Sequence, residues 1–416
     1  MRILLWHGYL LGGTGSNVYT RALAREWSRA GHDVTILSQE SHPERFDLGG
    51  AAAVRPDVGG FLPVFVLDRY DGYEVRRLPD CTRTELENWV EANAAAVRAL
   101  LPADLVFANH VLLGGPVGAA TGAPFAVKAH GSELEYAMRD NAELSEWGAE
   151  TLAQAHATFV GSEHIRRVVA DVCGHTERVY EVPPGVDIEL WRPAARAEAL
   201  TALLEEARRD PPNAGNAEER LPDEGNAERF AAFLAGERPT VVYFGKLIPQ
   251  KGVDVLLRAL RELPARVVVV GFGPERAALE GLAASEGVSA LFTGPLEHRH
   301  LRHLLAFADT CVVPSVFPEA FGMVAAEAAA AGCPPVVARH SGLAEVAAEL
   351  ESALPPRLAP LVGHPAGDAQ ALRGRLEAIL SLPAVDRAEL RSTVRRVAVE
   401  RWSWGGVAAR LLAHAV

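Results

Sequence analysis

The sequence predicts an α/β protein with two doubly wound domains, each built on a parallel sheet between helices. Short runs of β-branched and apolar residues alternate with amphipathic stretches, which is typical of successive βα units. Runs such as RVVVV at 266–270 are apolar on both faces, as strands of a fully covered parallel sheet must be. Two series of such runs occur, and a chain of 416 residues is long enough for two domains.

The predicted strands fall on either side of a seam at EVPPGVDIELWRP (181–193), where a Pro-Pro-Gly turn interrupts the pattern. The sequence predicts a first domain over 1–185 and a second domain over 186–398. The final stretch, 399–416, is predicted to be an amphipathic helix. The predicted strands are 2–6, 33–37, 104–109, 125–130 and 157–161 in the first domain and 240–244, 266–271, 290–293, 310–314 and 335–338 in the second.

The second domain carries a polar insertion at about 195–236, which includes the short repeat GNAEER and GNAERF. Its content of Gly, Asn, Pro and Glu predicts a mobile surface segment. The second sheet is therefore expected to begin near Pro239.

The composition excludes several functional classes. The formal net charge of −12 argues against a general nucleic-acid binder, because phosphate recognition needs a basic surface. The four cysteines lack any C-x-x-C spacing and are expected to be free thiols of a reducing compartment. The apolar start RILLWHGYLLGG is short and broken by glycine, and no run reaches the roughly 20 apolar residues of a membrane span, so we expect a cytoplasmic protein.

A glycine-containing loop, LLGGTGSNVY (10–19), follows the first predicted strand and opens a helix. Gly13 and Gly15 begin a dinucleotide fingerprint, but Val18 stands where the third glycine belongs. Close approach to a phosphate or a sugar remains compatible with this loop, and so does a purely structural turn.

Two further segments place polar groups after predicted strands. In KAHGSELEY (128–136), His130 stands at the carboxyl end of a strand, the edge that faces ligands in an open α/β sheet. In YFGKLIPQKG (243–252), Lys246 and Lys251 share one loop between two glycines, and two cations at this edge suit a diphosphate.

The segment PEAFGMVAAEAAAAG (318–332) sets two acids in a run of small apolar residues. Glu319 precedes a predicted helix and Glu327 lies inside it. A buried carboxylate needs partners, and sugar hydroxyls can supply them. The free N–H groups at the start of this helix, near Gly322, are suited to a diphosphate.

With these motifs in order, the chain resembles the retaining glycosyltransferases of family 4, which have the two-domain GT-B architecture with Rossmann-like domains facing a cleft. The resemblance is carried by Glu319-x7-Glu327, GKLIPQKG, VGFGPE (270–275), HGSE (130–133) and the early GGTGS, and it extends over nearly the whole chain. It implies transfer of a hexose-type sugar from a nucleoside-diphosphate sugar, UDP- or GDP-linked, to an acceptor hydroxyl.

The resemblance also implies roles for individual residues. Glu319 would bind the donor sugar and Glu327 the ribose, and His130 would lie under the anomeric carbon. The last helix would cross back to the first domain, which would bind the acceptor. The remaining donor-site residues implied are Lys246 and Lys251 with the backbone of Gly322, Met323 and Val324 for the diphosphate, Gly294 and Leu296 beside the base, and Gly12 and Gly13 near the diphosphate and sugar.

Some features depart from the family pattern. Lys246 stands where Arg is usual, and Ser341-Gly342 stands where Gly-Gly is common. The sequence has no Asp-x-Asp motif, so no metal and no cofactor are expected, with lysines supplying the positive charge. A sugar-nucleotide epimerase on the same fold and a non-catalytic sugar-nucleotide-binding protein remain alternatives.

The acceptor is not specified by the sequence; a small metabolite, a lipid-linked molecule and a glycan all stay open. Residues 41–84, with Tyr70, Tyr73 and Arg76-Arg77, are the expected specificity region. Arg21, Arg25 and Arg29 form a stripe on the first helix, which we interpret as a solvated face rather than a membrane-docking surface.

Overall fold

A computed structural model describes residues 1–13, 15–65, 70 and 72–415 and divides the chain into two compact units. The first unit comprises Met1–Gly185 together with the chain from Trp404 onward, and the second comprises Val186–Ser403. The closing segment was predicted to begin at residue 399, but Ala384–Trp402 is one uninterrupted helix of the second unit, so the boundary lies after Ser403.

The first unit contains a seven-stranded parallel sheet in the order β3-β2-β1-β6-β7-β8-β9, and β4 and β5 pair separately. The switch in strand order falls between β1 and β6. The strands are β1 (Arg2–Trp6), β2 (Asp33–Leu37), β3 (Ala52–Val54), β4 (Phe61–Val64), β5 (Glu74–Arg77), β6 (Leu105–Asn109), β7 (Phe125–Lys128), β8 (Ala157–Val160) and β9 (Val179–Glu181). The helices are α1 (Gly15–Arg29), α2 (Arg83–Arg98), α3 (Gly114–Ala120), α4 (Ala142–Gln154) and α5 (Glu163–Cys173).

The second unit contains a six-stranded parallel sheet in the order β12-β11-β10-β13-β14-β15, which is the 3-2-1-4-5-6 order of a Rossmann-type sheet. Its switch point lies between β10 and β13. The strands are β10 (Thr240–Phe244), β11 (Arg266–Val270), β12 (Ser289–Phe292), β13 (Thr310–Val313), β14 (Pro335–Ala338) and β15 (Gly363–His364). The helices are α6 (Arg196–Ala207), α7 (Asn226–Phe233), α8 (Val253–Leu260), α9 (Arg276–Ser285), α10 (His298–Phe307), α11 (Met323–Ala330), α12 (Ser341–Ala353), α13 (Ala369–Leu380) and α14 (Ala384–Trp402).

Each of the ten predicted runs overlaps a strand, with ends that differ by no more than two residues. The predicted strands do not include β3, β4, β5, β9 or β15. These strands have two to four residues each, which is too short for a clear strand pattern, and β5, EVRR, is also largely polar.

The last helix, α15 (Trp404–Ala415), belongs to the first unit and packs on α1. The indole N–H of Trp27 donates a hydrogen bond to the carbonyl of Ala408 at 3.0 Å. Trp404 lies with its ring 5.4 Å from that of Tyr19 and so close to Gly185 that a Cβ there would be 2.4 Å from the indole. Because Gly185 has no side chain, Trp404 at the start of α15 can pack closely against it.

The segment predicted to be a mobile insertion is ordered, so that prediction is wrong. It contains α6 and α7, and the side chains of Leu203 and Phe230 are fully buried in the core of the second unit. The backbone N–H of Asp223 donates to the carbonyl of Thr293 at 2.9 Å, and Arg276 donates to the buried Asp223 carboxylate. Polar composition did not indicate mobility here because the polar groups have partners within the fold.

No helix in the described part of the chain is long and apolar enough to cross a membrane.

Replacing Phe230 with Ala should lower the free energy of unfolding of the second unit by about 3–5 kcal/mol, because a fully buried ring leaves a cavity. Urea unfolding would measure the change, with Glu228→Ala on the exposed face of α7 as the matched control. A loss below about 1 kcal/mol would mean that the segment is a loosely attached insertion after all.

Candidate functional site

The second unit brings the loops after β10 and β13 together at the switch point of its sheet. The loop after β10 ends in a short 3-10 turn, Pro249–Lys251, followed by Gly252 with φ of 63°. A Cβ on Gly252 would lie 2.2 Å from the carbonyl oxygen of Pro314, which directly follows β13. Only glycine permits this approach, and it places Lys251 beside the loop that carries Glu319.

Lys251 and Glu319 form an ion pair at this edge. The Lys251 ammonium donates to Oε1 of Glu319, and the hydroxyl of the buried Ser315 donates to the same oxygen at 2.6 Å. The two charged side chains remain 31% and 23% exposed, so both are within reach of a ligand. Among the described residues, Oε2 of Glu319 has no hydrogen-bond partner.

The start of α11 adds backbone donors to this edge. Gly322 precedes the helix with φ of 124°, and a Cβ there would lie 2.7 Å from the side chain of Leu343. Met323 and Val324 form the first turn and are half-buried. The first N–H groups of a helix have no acceptor within the helix, and together with the helix dipole they favour an anion.

Glu327 lies on α11, half-buried, and its carboxylate has no partner among the described residues. Burial raises its pKa to about 8. A carboxyl group without a partner in such a place is a candidate acceptor for a ligand's hydroxyl groups.

Lys246 and the segment from Gly294 to Leu296 lie on other loops of the same unit. The Lys246 side chain is exposed, and only its backbone carbonyl is tied, by the hydroxyl of Tyr243 at 2.8 Å. Gly294 has φ of 68° and a Cβ there would lie 2.7 Å from Asp223. Leu296 is 9% exposed. The structure thus brings Lys251 and Glu319 into contact but shows no such contact for Lys246.

In the first unit, His130 belongs to a cluster of three histidines at strand ends. His7 follows β1, His110 follows β6, and the imidazole of His110 lies 4.7 Å from that of His130 and 5.9 Å from that of His7. Asn109 donates from Nδ2 to the carbonyl of Trp6, so its Oδ1 accepts from Nε2–H of His130 at 2.8 Å. Burial, with further effects from His110, Lys128 and His7, lowers the pKa of His130 well below its usual value, so the imidazole is neutral.

Glu133 of the HGSE motif forms hydrogen bonds to two members of this cluster. Its fully buried carboxylate accepts from the backbone N–H of His130 at 2.8 Å and from Nδ1 of His110 at 3.2 Å. Burial alone would raise the pKa of Glu133, but His110 and the surrounding N–H donors outweigh it and lower the pKa. A buried anion therefore fixes the backbone at His130.

The glycine loop of the first unit is described except for Thr14. Gly12 accepts through its carbonyl from the side chain of Asn17, and Gly13 has φ of 91° with open space on its Cβ side. Asn17 in turn accepts from Nε2 of His7 at 2.7 Å, so the loop is tied to the histidine cluster.

Parts of the expected specificity region and the arginine stripe are engaged within the first unit. The hydroxyl of Tyr73 donates to Gln39 at 2.8 Å, and Arg76 pairs with Glu74 and Glu85. Arg21 donates to the carbonyl of Leu11, Arg25 to Glu26 and Arg29 to Asp47. These contacts favour a structural role for the stripe.

Sequence reasoning did not single out His7, His110 or Ser315. His7 and His110 each directly follow an apolar strand, as His130 nearly does, so their position alone was an available signal. No sequence signal marked Ser315, because its role depends on the carboxylate of Glu319, which the loop after β13 places beside its hydroxyl. No group of three or more His, Cys, Asp or Glu side chains within the described ranges is arranged to hold a metal ion.

A chain with two Rossmann-type units has the architecture of the GT-B glycosyltransferases, and comparison with known proteins agrees. A family model described as glycosyltransferase family 4 matches residues 13–190, and one described as glycosyl transferases group 1 matches residues 225–397. The chain belongs to glycosyltransferase family 4.

Curated relatives include the D-inositol 3-phosphate glycosyltransferases of Mycobacterium tuberculosis and Mycobacterium bovis, each 29% identical over 354 residues. The match covers 79% of this chain and 65% of the relatives, so it spans less than two thirds of their length. Among solved structures, sucrose-phosphate synthase from Thermosynechococcus elongatus superposes with a TM-score of 0.65 at 22% identity, covering 99% of this chain and 97% of the other. Anabaena HepE with UDP and glucose gives a TM-score of 0.68 at 16% identity, with 99% and 98% covered. These likenesses show the GT-B fold.

The raised pKa of Glu327 predicts a pH-dependent cost to stability. The folded state holds this proton more tightly than the unfolded state, whose value is about 4.5, so the free energy of unfolding falls as pH rises from there to about 8. Glu327→Gln should therefore raise the melting temperature relative to the unsubstituted chain at pH 9 and change it little at pH 4.5.

Thermal melts at the two pH values measure this effect. Glu205→Gln, at an exposed position of α6, is the matched control and should show no such difference. If Glu327→Gln shifts the melting temperature equally at both pH values, the pKa of this carboxyl group is not raised in the folded state.

Proposed function

We propose that the chain is a retaining glycosyltransferase that moves a hexose-type sugar from a nucleoside-diphosphate sugar to a hydroxyl group of its acceptor. The observation that carries this proposal is the Lys251–Glu319 pair at the switch point of the second sheet, next to the free N–H groups at the start of α11. A cation and a helix start suit the diphosphate, and a carboxylate suits the sugar hydroxyls.

In the proposed reaction, the bond between the anomeric carbon and the diphosphate oxygen breaks as a bond to the acceptor oxygen forms on the same face. The acceptor's proton passes to the departing diphosphate. Negative charge therefore grows on the diphosphate, where Lys251, Lys246 and the N–H groups of Gly322 to Val324 would stabilise it. Glu327 would accept from the ribose hydroxyls, and its carboxyl group would ionise more easily with those donors in place.

Further donor contacts are proposed for residues of the first unit and for the loop after β12. His130 would contact the donor sugar as a neutral imidazole, which its lowered pKa favours. Gly12 and Gly13 would admit the diphosphate and sugar, since there is open space on the Cβ side of Gly13. Gly294 and Leu296 would lie beside the base. With lysines supplying positive charge, we propose a reaction that uses no metal and no cofactor.

A UDP-sugar is the first donor to test. HepE, which shares the fold, has been solved with UDP-glucose, and the curated relatives are named for transfer to D-inositol 3-phosphate. A phosphorylated polyol is therefore a reasonable first acceptor, beside lipid-linked and glycan acceptors.

Substitutions at the pair should separate nucleotide binding from sugar transfer. Lys251→Ala should weaken the binding of bare UDP and lower turnover together, each by about tenfold or more, because a charge-assisted contact is lost. Glu319→Ala should leave the affinity for bare UDP within about twofold and lower turnover about 100-fold, because its carboxylate is assigned to the sugar.

Titration calorimetry with UDP and donor hydrolysis assays measure both effects, and Arg258→Ala, an exposed cation paired with Asp254 on α8, is the control. Chromatography of the products distinguishes released sugar from an epimerised sugar nucleotide. Loss of bare UDP binding in Glu319→Ala would contradict its assignment, and an intact chain that neither binds nor cleaves any donor would contradict the proposed function.

A further inference from the structure

Glu319 is the meeting point of a closed ring of hydrogen bonds that the family roles above leave unexplained. Its backbone N–H donates to the hydroxyl oxygen of Ser341 at 2.8 Å. Its carboxylate accepts from the hydroxyl of Ser315 at 2.6 Å. His340 lies between the two serines, with Nδ1 3.0 Å from the Ser341 hydroxyl and Nε2 2.7 Å from the Ser315 carbonyl oxygen.

The directions of these hydrogen bonds follow from the chemistry of the groups. The carbonyl of Ser315 can only accept, so Nε2 of His340 carries the proton. In the neutral imidazole Nδ1 is then an acceptor, and the Ser341 hydroxyl donates to it while accepting from Glu319. The ring therefore runs from the Glu319 backbone through Ser341, His340 and Ser315 to the Glu319 carboxylate.

The backbone of Ser341 is strained. Ser341 has φ of 46°, in the left-handed region that favours glycine, although it carries a side chain. A serine is held here in a conformation that a glycine would adopt freely, and its hydroxyl is the group that reaches Glu319. Strain of this kind is concentrated at functional sites.

Neighbouring contacts hold α12 against the Glu319 loop. The N–H of Gly342 donates to the carbonyl of Glu319 at 3.0 Å, and a Cβ on Gly342 would lie 2.5 Å from the Cα of Phe321. The loop is thus fixed on one side by the first turn of α12 and on the other by Lys251 and Ser315, which both bond to Oε1.

We propose that Ser341 and His340 are positioning residues for the donor sugar. They hold Glu319 so that Oε1 stays with Lys251 and Ser315 and Oε2 is left to accept from the sugar's hydroxyl groups. The inference rests on the proposed function, because it assigns the carboxylate to a sugar nucleotide.

Paired substitutions at Ser341 separate positioning from stability. Ser341→Ala removes the hydroxyl and keeps a Cβ on the strained backbone. Ser341→Gly removes the hydroxyl and also relieves the backbone strain. Both variants should lose about tenfold in kcat for hydrolysis of the donor and keep the affinity for the bare nucleoside diphosphate within about twofold. The Gly variant should nevertheless melt at a higher temperature than the Ala variant.

His340→Ala opens the ring at another point and should give a similar loss in kcat. Because the two residues act through one ring, the double variant of Ser341→Ala and His340→Ala should lose little more than either single variant. Ser352→Ala, which removes a hydroxyl bonded to a carbonyl at the far end of α12, is the matched control and should keep full activity.

The intact chain is first tested with UDP-glucose, UDP-N-acetylglucosamine, GDP-mannose, ADP-glucose and dTDP-glucose, and the donor that is cleaved is used for the variants. If none is bound or cleaved, the proposed function fails and this inference fails with it. If a donor is cleaved but Ser341→Gly has full kcat, or if the losses at Ser341 and His340 add in full, the proposed function stands and the positioning role is overturned.

Discussion

The contact between Lys251 and Glu319 is the interaction on which the account of the second unit depends. It joins the loop after β10 to the loop after β13, the two strands between which the order of the sheet switches. Ligands of open α/β sheets bind outside the carboxyl ends of strands at such a point. Both side chains are partly exposed, so the Lys251 ammonium can contact a ligand anion while Oε2 of Glu319 is left to accept from hydroxyl groups.

This contact requires a set of close backbone approaches. Gly252 allows the first loop to touch the end of β13, and Gly322 allows α11 to begin against Leu343. Gly271 is even closer to its neighbour, since a Cβ there would lie 1.8 Å from the carbonyl oxygen of Gly245. The glycines of the motifs therefore let strand ends and loops approach closely, so that side chains from separate loops converge.

Much of the fold and part of the site could be predicted from sequence, for identifiable reasons. Buried parallel strands such as RVVVV give a continuous apolar signal, whereas β5 gives none because it is short and polar. Glu319 and Lys251 stand in local motifs, but the ring through Ser315, His340 and Ser341 joins segments that are distant in sequence. The order of the 195–236 segment was missed because the partners of Asp223 and Asn226, Arg276 and Thr293, lie far along the chain.

A crystal structure of the chain with bound UDP tests the central claim most directly. The account predicts the diphosphate at the carboxyl ends of β10 and β13, with phosphate oxygens within hydrogen-bond distance of Lys251 Nζ and of the N–H groups at the start of α11. Oε2 of Glu319 should remain free of the bare nucleotide. A diphosphate bound away from this edge, or one that touches neither Lys251 nor α11, would contradict the account.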